Sequence, residues 1–191
     1  MSLQLVTPPS GEPVSLAETK LHLRVDFDED DTLINGCISA ARQAAETLTG
    51  RQLITARWKL VLDTFPACTI LVAKCPVQSV ASIQYLDMNG SSQTMPATDY
   101  VVDTAYEPAR ITPVFGKTWP STLPQIGAVS VTFDAGYGSA SSVPEGIKSW
   151  IKLRVGSLYA HREEMSVLMR GRIDPLPFVD GLLDPYRVAL V

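Results

Sequence analysis

Histidine is nearly missing from this chain and basic residues are outnumbered, and each shortage closes off a class of function. The two histidines, His22 and His161, stand far apart, and neither has a second His, Cys or acid at metal-ligand spacing, so no metal site is expected. Sixteen Lys and Arg face 20 Asp and Glu, a formal net charge of −4. That balance argues against a protein that grips nucleic acid through its phosphates, which takes clustered bases. Cysteine is sparse too. Cys37, Cys68 and Cys75 are an odd set without paired spacing, read as reduced or buried thiols and not as a disulfide framework. No apolar run approaches the roughly 20 residues of a membrane span. Met1 to Pro9 lacks the basic start and apolar stretch of a signal peptide. The expectation is a soluble product of a cytosol.

What is present is globular. At 191 residues, with 46% hydrophobic and 19% charged, the chain suits one compact domain or two small ones. A chain of this size buries roughly 70% of its extended surface and needs no staple to fold.

The N-terminal part reads as two helices. Ser15 and Glu18 have the spacing of a capping box, and Leu16, Lys20 and Leu23 share one side of a short helix ending near Arg24. Acids from Asp26 to Asp31 suit the positive end of a second helix. Along it Leu33, Ile34, Cys37, Ile38, Ala41, Ala44, Ala45 and Leu48 recur at helical spacing, and Gly50 suits the residue past its end.

Near Gln52 the period changes to two. Ala56, Trp58, Leu60 and Leu62 alternate with Thr55, Arg57, Lys59 and Val61, and strand-like runs recur at 69–73, 79–86, 99–102 and 129–133. Asn89-Gly90 marks a hairpin turn, since both residues tolerate positive φ. A third helix is expected after Pro144, with Ser142 and Glu145 as a capping box and Ile147, Trp150, Ile151, Val155, Leu158 and Tyr159 as its stripe, ending near His161-Arg162. The fold class is thus α+β: two N-terminal helices and one long C-terminal helix, residues 1–51 with 139–191, around an inserted antiparallel β region, 52–138. Pro and Gly break residues 165–183, and the apolar end, 182–191, needs to dock on its own domain or on a neighbour.

Catalytic motifs fail one by one. Gly116-Lys117-Thr118 resembles the end of a phosphate loop, but Ile111 stands where the loop needs glycine. Asp26, Asp28 and Asp30 mimic a calcium loop, yet Asp31 replaces its turn glycine and Cys37 its closing acid. Gly156-Ser157-Leu158-Tyr159 lies inside a helix and lacks the closing glycine of a nucleophile elbow. Glu163-Glu164 reads as solvated surface, and Cys68 and Cys75 as small buried hydrophobes. No catalytic residue, metal ligand or cofactor is expected.

One resemblance gives a positive reading. Leu5-Val6-Thr7-Pro8-Pro9, Glu12-Pro13-Val14-Ser15-Leu16-Ala17-Glu18 with Lys20 and His22-Leu23-Arg24-Val25, then Asp31-x-Leu33-Ile34, Ala40-Ala41-Arg42 and Thr49-Gly50-Arg51, resemble the head–tail connector (adaptor) proteins of long-tailed bacteriophages and prophages. Pro144-Glu145-x-Ile147-Lys148 and the Leu182–Arg187 ending are similar to a longer branch with a β insertion. The resemblance implies a structural virion protein without catalysis. It implies a ring, commonly dodecameric, between the capsid portal and the next tail-joining protein, through whose channel DNA passes unread. A closed ring of this kind needs two different patches on each subunit.

Within that reading, Asp26, Asp28, Glu29 and Asp30 are candidate channel-lining acids, because an acidic wall lets DNA slide. Leu182, Leu183, Pro185, Tyr186 and Arg187 are candidate contacts to the portal or an adjacent subunit, with Tyr186 and Arg187 as anchors. The competing readings are another phage ring or tail-completion protein, and, further off, a small-molecule-binding domain or enzyme in the β region.

Overall fold

The computed structural model describes residues 1–161, 179 and 181–188. Strand β1 (Ser2–Thr7) opens the chain, followed by helices α1 (Leu16–Leu23) and α2 (Asp31–Thr49). Seven strands come next: β2 (Ala56–Leu62), β3 (Ile70–Val72), β4 (Val77–Leu86), β5 (Ser92–Thr94), β6 (Tyr100–Asp103), β7 (Ala109–Pro113) and β8 (Val129–Ala135). Helix α3 (Glu145–Ala160) follows, and Asp184–Tyr186 form a 3₁₀ turn. The fold is α+β with antiparallel sheets.

The helices form for legible reasons. The Ser15 hydroxyl accepts from the Glu18 N–H, and the Glu18 carboxylate accepts from the Ser15 N–H at 2.9 Å, so the capping box is made. Arg24 closes α1 in the left-handed region. Helix α2 begins at Asp31 behind Asp30, whose side chain makes no cap bond, and Gly50 ends it at φ 71°, where a side chain would be strained. The third helix departs from expectation. Pro144 is its N-cap, with no side-chain cap, and Ser142 is spent in a 3₁₀ turn, so no capping box forms with Glu145.

The stripe of α2 is rotated from the expected one. Ile34, Ile38, Ala41 and Ala45 are buried, but so are Arg42, Glu46 and Thr49, while Leu33 and Leu48 face outward. Buried ion pairs took the side that an apolar count assigned to leucine. The inward face packs against Ile147, Trp150, Ile151 and Val155 of α3, with Val14, Leu53, Ile54 and Leu183 closing one core.

The strands make a five-stranded sheet in the order β1-β2-β8-β4-β5 and a three-stranded sheet in the order β3-β7-β6. Leu60, Ile83, Val129, Val131 and Phe133 from the larger sheet meet Ile70, Val72, Ala109 and Ile111 from the smaller in a second core. That is a sandwich, built by strands whose buried positions alternate, most plainly in β8. Strand β4 spends ten residues where β8 uses seven, because register shifts at 77–79 and 80–82 bend it.

Three strands escaped the sequence reading. Strand β1, which that reading grouped with the helices, pairs with β2 as the sheet's edge. Strands β5 and β7 are the other two, each short and cut off by Pro or polar residues. The expected hairpin is present between β4 and β5, but only Gly90 takes positive φ. Asp87 organises it, its carboxylate accepting from the N–H groups of Asn89 and Ser91. Cys68 also differs from expectation. It is exposed, whereas Cys75 is buried and Cys37 half-buried, and among the described residues none is in a disulfide.

Candidate assembly surfaces

Two polar clusters fix how the helices, the sandwich and the C-terminal segment meet. The first centres on Glu46. Arg42 reaches Glu12 through Nε at 2.7 Å and Glu46 through Nη1 at 2.8 Å. The second oxygen of Glu46 accepts from the Gln52 amide at 2.7 Å and the Leu53 N–H at 3.1 Å, and Gln52 in turn accepts from the Trp58 indole. Burial pushes the Glu46 carboxyl above its ordinary range, against the downward pull of the Leu53 N–H and Arg42. The network carries orientation from α2 into the first residues of β2.

The second cluster centres on Arg51, the last residue of the Thr49-Gly50-Arg51 motif. Its Nε donates to the Tyr186 carbonyl at 2.5 Å, and its two Nη atoms hold both oxygens of Glu107 just before β7. Its guanidinium lies 5.9 Å from the Tyr137 ring centre. One side chain thus ties the end of α2, the sandwich, the strand-to-helix connection after β8 and the C-terminal segment. Gly136 makes the same crossing possible. At φ 134° a Cβ there would sit 2.7 Å from the Thr55 backbone nitrogen, so only glycine fits.

The acidic turn is partly used within the chain. Lys20 donates to Asp28 at 2.6 Å and to Asp31 at 2.7 Å, which holds the Asp28 carboxyl below its usual range. Asp30 accepts from the Tyr159 hydroxyl of α3. Asp26, Asp28 and Glu29 are exposed and Asp30 half-buried. Three acids of the four therefore present charge to solvent.

Nor is the C-terminal segment loose. Leu183 is fully buried in the helical core, and Leu182 and Tyr186 pack against it. The Tyr186 ring covers Gly146 of α3, and the Val188 N–H bonds the Thr49 carbonyl at 2.9 Å. Pro185 and Arg187 face outward. Of the five residues expected to meet a partner, the structure gives three to the chain's own helices and leaves two on the surface.

Glu163-Glu164 lies outside the described residues, and among those described no group of acids, histidines and cysteines is arranged to hold a metal. Gly116 and Lys117 sit in a turn between β7 and β8, where Lys117 pairs with Asp99, and no helix N-terminus follows for a phosphate. Sequence reasoning missed Glu107 and Tyr137, since the partners of Arg51 lie 56 and 86 residues away in the chain and no local signal joins them.

Residues 13–98 match a family described as phage gp6-like head-tail connector protein. Over 100% of its length the chain superposes on a protein in the neck of an empty gene transfer agent particle, computed with C6 symmetry. There the TM-score is 0.81 and the identity 25%, covering 97% of that chain. The virion of the native particle gives a TM-score of 0.79, and its neck computed with C12 symmetry 0.78, at the same identity and coverage. No curated protein matches in sequence. That family's pattern thus lies on the segment that builds α1, α2 and the strands β2 to β5, and the chain is similar in fold, from end to end, to the neck protein of the particle.

Proposed function

We propose that the chain is a structural virion protein forming a ring at the head–tail junction, joining the capsid portal to the tail and continuing the DNA channel. The observation that carries this is the whole-chain likeness to a neck protein, sandwich included, at a TM-score of 0.81. The role involves no catalysis and no cofactor.

The finer features follow from that frame. Twelve copies make the ring, in keeping with the C12 symmetry of the related neck. Helices α1, α2 and α3, from residues 1–51 and 139–191, form the ring body, and the β part, 52–138, is a subdomain set on it, with β1 crossing between them. The exposed carboxylates of Asp26, Asp28 and Glu29, with Asp30 beside them, line the channel, where negative charge repels phosphates and lets duplex DNA slide. The outer side of the C-terminal segment, Pro185 and Arg187, faces the portal. Leu182, Leu183 and Tyr186 hold that side in position by packing inward. Assembly takes place in the host cytoplasm and the finished protein resides in the virion.

The direct test is the mass of the full-length protein by size-exclusion chromatography with light scattering, alone and mixed with its portal. A large ring, or a stoichiometric complex with portal, is expected. A protein that stays monomeric in both would overturn the proposal. Reversing Asp26, Asp28, Glu29 and Asp30 to lysine is expected to slow DNA packaging or ejection, and no effect would remove these acids from the channel wall.

A further inference from the structure

The sandwich carries two surface features that the described residues leave unmatched. One is Phe115, whose ring is fully exposed. It does not ride on a slack loop. The Val114 N–H bonds the Asp99 carbonyl at 3.0 Å, the Lys117 N–H closes on the Val114 carbonyl at 2.9 Å, and the Lys117 ammonium pairs with the Asp99 carboxylate. Gly116 turns the chain at φ 81°. Asp99 leads directly into β6, whose first residue pairs with Pro113, so Phe115 stands just past the end of β7 and beside the start of β6.

The other feature is a groove of about 490 Å³ beside β3, an edge strand of that sheet. Met1, Leu62, Pro66, Ile70, Leu71 and Pro108 line it, and its polar side chains are threonines. Leu71 and Met1 are 43% and 75% exposed at its rim, so the groove presents apolar surface to solvent.

Among the described residues the two features do not meet. Leu71 pairs with Arg110, and β7 runs three residues further to Pro113, roughly 10 Å along the sheet at 3.3 Å per residue, before the turn that carries Phe115. A knob past the end of the middle strand and a groove beside an edge strand are two different patches, which is what each contact of a head-to-tail ring of identical subunits joins. An aromatic anchor entering an apolar pocket is also the kind of contact that dominates interface energetics.

We propose that neighbouring copies in the ring interlock through their β sandwiches, Phe115 of one subunit seating in the groove beside β3 of the next. This rests on the ring reading above and gives the β part a task within it, which is to lock subunit to subunit.

The test uses full-length protein carrying Phe115→Cys and Leu71→Cys, with the exposed Cys68 changed to Ser. The two new thiols are too far apart for a bond within one chain, where Cα atoms must lie within about 7 Å. Oxidation of assembled rings is expected to give a ladder of linked copies on a non-reducing gel, reversed by dithiothreitol and absent from either single variant. Phe115→Ala is expected to weaken self-association about thirty-fold or more by light scattering, with an unchanged thermal midpoint. Rings that form without a ladder, and are indifferent to Phe115→Ala, would overturn the interlock and leave the ring standing. Wild-type protein that forms no ring, alone or on portal, would overturn both.

Discussion

The helical part and the sandwich solve the same problem, burying a core, by opposite means. Every buried polar or charged side chain among the described residues lies between Thr19 and Gln52: Thr19, Arg42, Glu46, Thr49, Arg51 and Gln52. The sandwich core is wholly apolar and its ion pairs, such as Arg57 with Asp134 and Arg110 with Asp103, stay at the surface. Surface pairs add little stability, whereas a buried pair penalises any arrangement that separates its members. The helical part is therefore committed to one geometry by charge, and the sandwich by shape. A ring subunit whose patches must meet at a set angle benefits from the first at the junction of its parts.

The largest expected effect comes from breaking the charge side of this contrast. Arg42→Ala strips Glu46 of its buried partner and should cost about 3–5 kcal/mol in urea unfolding. A loss no larger than that of an exposed control, such as Arg154→Ala, would mean the network is not what orients α2. Next comes the C-terminal segment. Leu183→Ala empties a fully buried site in the helical core and should cost about 2–5 kcal/mol. Unchanged stability would return the segment to a partner surface alone.

Arg51→Lys keeps the charge but loses the two-pronged grip on Glu107, and should cost about 2 kcal/mol. It also sharpens the comparison, because Trp150 reports the helices and Trp58 and Trp119 the sandwich. In the variant, the two sets of fluorescence changes are expected to separate into distinct transitions. Coincident transitions would place the coupling of the two parts elsewhere than Arg51.

The smallest effects are those of pH, and they differ in sign. Burial raises the Glu46 carboxyl above its ordinary 4.5, so the folded chain holds that proton more tightly than the unfolded one. Its contribution is fullest below 4.5 and falls away as pH rises past that value. Arg57 holds the Asp134 carboxyl below its ordinary 3.8, so its contribution is full above 3.8 and is lost as pH falls. Glu46→Gln should flatten the decline above 4.5, and Asp134→Asn the loss below 3.8, in urea midpoints taken between about pH 2.5 and 6.5. Profiles unchanged by either substitution would show that other groups set the slope.

Sequence legibility divides along the same line as the chemistry. The Ser15–Glu18 box, α2 from Asp31 to Gly50 and the stripe of α3 could be read because helix signals lie within a few residues of one another. Strand β2, whose sequence alternates, and β8, whose burial alternates strictly, were legible for the same reason. Strands β1, β5 and β7 were not, since each is defined by a partner strand more than by its own pattern. Among the surface residues, the acids at 26–30 were found as a run. Arg51 was seen only as part of a motif, and Phe115 not at all.

Periodicity, caps and composition, all short-range, were enough to determine the α+β class, the helices and the want of any metal-ligand spacing. Tertiary structure alone decided that charged residues take the inner face of α2, that Leu182 and Leu183 turn inward, and that an exposed phenyl ring and an apolar groove stand on one small sheet. Those outcomes depend on contacts between residues far apart in the chain. Their energies appear only when the chain has folded, so no local pattern records them.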